Sequence, residues 1–215
     1  MTLPLEVHQD AEAAARRVAG LVADRVRGSS GPFSLALSKT PSALLDSLAA
    51  GGVPWERIDV YQVDERVAPR GSAERNLTAL GRSLPSERLH PMPVDDGALE
   101  AAAERYARLL PESLDLVHLG LGPDGHTASL VPGDAVLDVR DRPVAVTRKY
   151  QGLQRMTLTY PPLDAAREIV WLVTGGEKRD ALRRLLERDR GIPAARISNP
   201  AQFVVADAAA AGSQA

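Results

Sequence analysis

The chain has 215 residues, enough for one α/β domain with a full core, and no shift in composition marks a second domain. Its 26 basic and 28 acidic residues leave a formal charge of -2, so nothing draws the whole molecule to nucleic acid or an anionic membrane, and an anionic ligand must be small and locally held. No cysteine occurs, which excludes disulfides, thiolate catalysis and cysteine-ligated zinc.

The N-terminal stretch MTLPLEVHQDAEAAARRV carries acidic side chains early and lacks the basic start and apolar core of a secretory signal. No apolar run is long enough to cross a bilayer, so a cytoplasmic protein without a membrane or nucleic-acid partner is expected. Asp10 reads as an N-cap, and Val18, Leu21, Val22 and Val26 recur at helical spacing behind it, which predicts an amphipathic helix over 10–27. Residues 28–31, GSSG, break that pattern. Short apolar runs at Phe33–Leu37, 58–63, 114–121, Val144–Val146, Ile169–Val173 and 203–205 read as buried strands. Helices are predicted between them at Ser42–Ala50, 74–84, 99–110 and 177–188. The alternation implies an α/β fold with a mainly parallel sheet and helices on both faces. Residues 1–207 read as one domain, and 208–215, AAAAGSQA, as a frayed tail with nothing to bury.

Ligands of such sheets bind beyond the carboxyl ends of the strands. Ser38, Lys39 and Thr40 follow the first run, Asp64, Glu65 and Arg66 close the second, 122–127 follows the third, and 175–178 follows the fifth. An imidazole, several cations, hydroxyls and backbone amides would then share one rim, which suits a phosphorylated, polar substrate.

The segment 115–133, DLVHLGLGPDGHTASLVPG, admits two readings. Gly120, Gly122 and Gly125 meet the G-x-G-x-x-G spacing of a dinucleotide turn, but such a turn has no use for the adjacent His126. Asp124 offers that imidazole an orienting carboxylate, Gly125 allows tight geometry, and Thr127 and Ser129 add hydroxyls, so His126 reads as a general base. His8, His90 and His118 lack such surroundings and receive no role. Arg66, at the end of IDVYQV, reads as an anion ligand, with Asp64 or Glu65 holding it or substrate hydroxyls. Arg155 precedes the alternating run 156–159 and reads equally as a surface residue. Lys178 is a cation in the first turn of a helix, a position that needs an anion to compensate it.

Taken in order, these segments resemble the 6-phosphogluconolactonase family over almost the whole chain. The histidine segment, VDERVAP, the run RMTLTYPPLDAA and the helix start VTGGEKRDAL each look like a family motif, and ERNLTAL looks like its asparagine helix, in a variant where arginine precedes Asn76. The resemblance implies a Rossmann-like fold shared with sugar-phosphate isomerases, and hydrolysis of 6-phosphoglucono-1,5-lactone to 6-phosphogluconate in the pentose phosphate pathway, with no metal and no organic cofactor. It further implies that His126 activates water, that Asp124 orients it, that Arg66 positions substrate or steadies developing charge, and that Arg155 and Lys178 hold the phosphate. Ser38, Lys39, Thr40, Asp64, Asn76 and Gly125 complete the expected binding set, in a monomer or weak homodimer.

One departure matters. The family has a longer glycine-rich turn after its first strand, whereas this chain has LSKTP, with Lys39 in a shortened loop. A lysine either replaces lost amide contacts by a charge or blocks the approach glycine allowed. The nearest rival is a glucosamine-6-phosphate deaminase, whose glutamate five residues after the histidine is Val131 here. An apolar side chain cannot exchange a proton, which removes a partner from isomerase chemistry and nothing from hydrolysis. A non-catalytic sugar-phosphate sensor would need the cations but not the imidazole. In an NAD-binding reading Asp138 and Asp141 would serve the ribose, yet they precede the strand at 144 rather than ending one.

Overall fold

Seven strands of the computed structural model, which describes residues 3–84 and 86–212, lie parallel in one sheet. They are β1 (Leu5–His8), β2 (Phe33–Leu37), β3 (Ile58–Gln62), β5 (Leu89–His90), β6 (Leu116–Leu119), β9 (Ile169–Val173) and β10 (Gln202–Asp207), in the spatial order β1-β10-β9-β6-β2-β3-β5. A second sheet is antiparallel and joins β4 (Asp64–Arg66), β7 (Val144–Val146) and β8 (Arg155–Leu158) in the order β4-β8-β7.

The unbroken apolar runs follow from burial on both faces. All five residues of β2 are buried: Phe33, Leu35 and Leu37 pack into the core beneath α1 (Ala11–Gly28) and α2 (Ser42–Ala50), and Ala36 into the core of the opposite face. Helix α1 begins where the Asp10 carboxylate accepts the Ala13 amide at 2.7 Å, and it buries Ala14, Val18, Val22 and Val26 at helical spacing. Each buried valine contributes roughly 1.5–3 kcal/mol, so this stripe rather than local propensity fixes the helix on the sheet.

Four expectations change. Strands β1 and β5 escape the sequence reading because both are short edge strands; β1 buries neither Leu5 nor Val7, and its pairing with β10 holds it. Val144–Val146 is a strand, but of the antiparallel sheet rather than the parallel one. The helix expected over 177–188 starts as a 3-10 turn at Gly176–Lys178 and becomes α6 only at Arg179–Leu186. The loose tail is corrected over its first residues: the Asp207 side chain caps α7 (Ala208–Ala211) by accepting the Ala210 amide at 2.7 Å, and Ala208 and Ala210 are buried. The rest of that tail, 213–215, lies outside the described residues.

The two sheets meet at Val63. Its amide donates to the Leu37 carbonyl of the parallel sheet (2.9 Å), and its own carbonyl accepts the Leu158 amide of the antiparallel one (2.8 Å). The acidic and basic residues at 64–66 are therefore carried into a separate small sheet, whose strands deliver Arg66 and Arg155 together.

Candidate active site

From β2 the chain proceeds outward through β3 to β5, then returns to the other side of β2 with β6, so the topology switches direction between β2 and β6. Their carboxyl ends are tied: the Ser38 amide donates to the His118 carbonyl at 3.3 Å, and the Gly120 amide donates to Ser38 Oγ at 3.2 Å. A cleft of about 450 Å³ opens there, where an open α/β sheet binds its ligand. Ser38, Lys39, Thr40, Asp64, Arg66, His126, Arg155 and Lys178 all line it.

The loop after β6 is built around the histidine. The Gly122 amide donates to the His126 carbonyl (2.8 Å) and the Gly125 amide to the Gly122 carbonyl (2.9 Å), which folds the loop back on itself. The imidazole then occupies the space a side chain at Gly122 would need: a Cβ there would stand 2.0 Å from His126 Nδ1 and 2.7 Å from Asp124 Oδ1. The glycine spacing thus serves the histidine and not a pyrophosphate. Gly125, expected among the binding residues, does not line the cleft; at φ +80° it turns against Ile192, whose Cβ a side chain would meet at 2.4 Å.

His126 Nδ1 lies 2.5 Å from Asp124 Oδ1. Partial burial opposes ionisation of Asp124, but the hydrogen bonds from the His126 ring and backbone, with one from the Tyr150 hydroxyl, outweigh it and hold the carboxyl below its ordinary pKa. An ionised carboxylate has no proton to share, so Nδ1 carries the hydrogen of this contact and Nε2 is the ring nitrogen left to act on a substrate. Tyr150 completes the mount: its hydroxyl donates to Asp124 Oδ2 at 3.0 Å, and its ring meets that of His126 edge-on at 5.5 Å.

Arg66 and Arg155 are directly opposed partners in the β4–β8 pair. Both are buried, and the Nε of each lacks a hydrogen-bond partner. Arg66 Nη1 donates to the Glu74 carbonyl at 2.7 Å, and the Arg155 guanidinium lies 4.9 Å from the centre of the Tyr150 ring. Burial, and then the neighbouring Arg66, push the pKa of both Arg155 and Lys39 below the ordinary value. Burial also raises the pKa of Asp64, the carboxyl lining the cleft, despite the Ser129 hydrogen bond and the two arginines. Like charges brought together out of water, with N–H donors unsatisfied, carry a cost that a bound anion would offset.

Glu65 and Asn76 make internal contacts beside the cleft. Glu65 is fully buried and accepts the backbone amides of Arg66, Asn76 and Leu77, each at 2.8 Å, so it anchors the first turn of α3 (Asn76–Ser83). Asn76 lies outside the main cleft, and its amide donates to the Asp64 carbonyl (2.9 Å) and carboxylate (3.2 Å). Tyr150 and Gln151 were not singled out from the sequence. Their signal was the pair Gln151-Gly152, which has φ +52° and +83° between the bridged residues Tyr150 and Leu153, a two-residue hairpin turn. Among the described residues no group of three or more histidine, aspartate or glutamate side chains could hold a metal ion.

The cleft thus gathers an imidazole and several cations at the switch point of a parallel sheet. The model of the glucosamine-6-phosphate isomerases/6-phosphogluconolactonase family matches residues 8–206, and the chain belongs to that family. A 6-phosphogluconolactonase of Nostoc sp. is 38% identical over 170 residues, 71% of this chain and 70% of its own length. One from Streptomyces coelicolor is 36% identical over 211 residues, 83% and 80% of the two chains. Among solved structures, a 6-phosphogluconolactonase from Thermotoga maritima superposes with a TM-score of 0.82 at 25% identity, covering 95% of this chain and 98% of that one. A monomeric glucosamine-6-phosphate deaminase reaches 0.87 at 17% identity, covering 99% and 100%, which marks a shared fold and does not separate the two activities.

Proposed function

We propose that this chain hydrolyses 6-phospho-D-glucono-1,5-lactone to 6-phospho-D-gluconate. The observation that carries the reading is the 2.5 Å contact between His126 Nδ1 and Asp124, which presents a free Nε2 base at the edge of a cationic cleft. Nε2 takes a proton from water as its oxygen bonds to the lactone carbonyl carbon. Arg66 faces the charge that develops on the carbonyl oxygen, and Arg155, Lys178 and Lys39 receive the phosphate. When the ring carbon–oxygen bond breaks, the imidazolium returns its proton to the departing oxygen, and the new carboxylic acid ionises to solvent. Ser38 and Thr40 offer hydroxyls, and Asp64 meets sugar hydroxyls, which it does as well neutral as charged.

Val131 favours hydrolysis over deamination, being buried and outside the cleft lining, so no second acid stands at that position. A cytoplasmic setting suits a chain free of cysteine, and no helix among the described residues is long and apolar enough to cross a membrane. The test is turnover by the purified chain of freshly generated lactone, corrected for spontaneous hydrolysis, beside ammonia release from glucosamine 6-phosphate. Lactone loss without ammonia supports the reading; ammonia release, or neither, overturns it.

A further inference from the structure

Behind the cleft a third arginine is buried more deeply than either of the two that line it. The Arg75 side chain is 1% exposed, with its Nε 3.6 Å from Glu65 Oε2 and its Nη1 donating to Asp95 Oδ1 at 2.7 Å. A guanidinium at that depth is tolerated only while its countercharges stay in place, so Glu65, Arg75 and Asp95 form a clamp, hydrogen-bonded at Asp95 and held by charge at Glu65, where Nε has no hydrogen-bond partner. The residues on either side of Arg75 are the ones that touch the cleft groups. The Glu74 carbonyl accepts Arg66 Nη1, and the Asn76 amide donates to Asp64. Glu65, the other end of the clamp, takes the Arg66 backbone amide. The hydrogen bonds described for the Arg66 guanidinium and backbone amide therefore go to this turn and to Glu65.

We propose that Arg75 is a positioning residue: its clamp between Glu65 and Asp95 fixes the turn at 74–76, and through it the placement of the Arg66 guanidinium and the Asp64 carboxyl in the cleft. Arg75 does not line the main cleft and touches no reacting atom itself. The proposal rests on the lactonase reading for its kinetic test, but not for its binding test.

The experiment compares Arg75→Met, Arg75→Lys and the double variant Arg66→Ala/Arg75→Met with wild type, by lactonase kinetics and by calorimetric titration of 6-phosphogluconate. Displacing a guanidinium by an ångström from its working position costs on the order of 10- to 100-fold, so kcat/KM of folded Arg75→Met falls by about that factor. Arg75→Lys, which keeps the charge but not the fork, recovers only part of it. In the Arg66→Ala background the further loss from Arg75→Met shrinks, because the residue it positions is gone. Full additivity, or unchanged kinetics and affinity with only a lower melting temperature, overturns the proposal. If Arg75→Met does not fold, Asp95→Asn loosens the clamp from its half-exposed end, and its kcat/KM and affinity must fall in the same direction. A wild type without turnover defeats the lactonase reading alone, since the affinity of the variants for 6-phosphogluconate still tests the clamp.

Discussion

Gly122 and His126 occupy one space: a Cβ on the glycine would stand 2.0 Å from the imidazole Nδ1. The absence of a side chain at 122 is what lets the histidine sit against Asp124. Gly122→Ala must push the ring from its carboxylate, and a base misplaced by about an ångström loses on the order of 10²-fold. Circular dichroism is expected to be unchanged while kcat falls by that factor; a variant with full kcat would separate the glycine from the chemistry.

The opposed pair Arg66 and Arg155 carries a cost when the cleft is empty. Like charges facing across a strand pair destabilise by up to about 1 kcal/mol, and each Nε lacks a partner. Arg155→Met removes one charge and keeps the packing, so the free protein is expected to melt a few degrees higher while its KM for the lactone rises at least about tenfold. The gain from added phosphate should shrink in the variant. A lower melting temperature with unchanged KM would mean that Arg155 serves the fold.

Lys39 lies in the short turn between β2 and α2. It lines the cleft, and burial followed by the Arg66 charge lowers its pKa, as for a group waiting on an anion. Lys39→Ala is expected to raise KM several-fold with kcat nearly unchanged, the sign of lost ground-state binding. An unaltered KM would leave Lys39 without a part in holding phosphate.

His118 predicts acid sensitivity. It is fully buried on β6 with both ring nitrogens unpartnered, and burial pushes its pKa down to about 4. Between that value and about 6.5 the unfolded chain binds a proton that the folded chain refuses, so stability is complete above the window and declines as pH falls through it. The loss by pH 4 is on the order of 3 kcal/mol. His118→Leu should flatten the stability profile between pH 6.5 and 4, measured by urea unfolding; a parallel profile would mean the ring finds a partner in solution.

The sequence reveals the parallel sheet because burial on both faces writes each strand as a continuous apolar run, as in FSLAL and IVWLV. It reveals His126 and Asp124 because the two are neighbours in one loop. Arg66 and Arg155 are 89 positions apart in sequence, and only the antiparallel register makes them partners. Arg75 and Glu65 look like solvated charges, since nothing local signals that the chain folds over them. Asn76 donates its side-chain amide to Asp64 and lines a smaller pocket shared with Lys39, Thr40 and Arg66, an arrangement that only the three-dimensional geometry shows.

The most direct test of the whole account is the rate of lactone hydrolysis by His126→Ala against wild type, with freshly made substrate, subtraction of the uncatalysed rate, and 6-phosphogluconate affinity measured on both proteins. Loss of a general base costs about 10²- to 10⁴-fold in kcat, while the cations continue to bind the phosphate, so affinity is expected to stay within a few-fold. A variant that keeps the wild-type rate would contradict the assignment of His126 as the base.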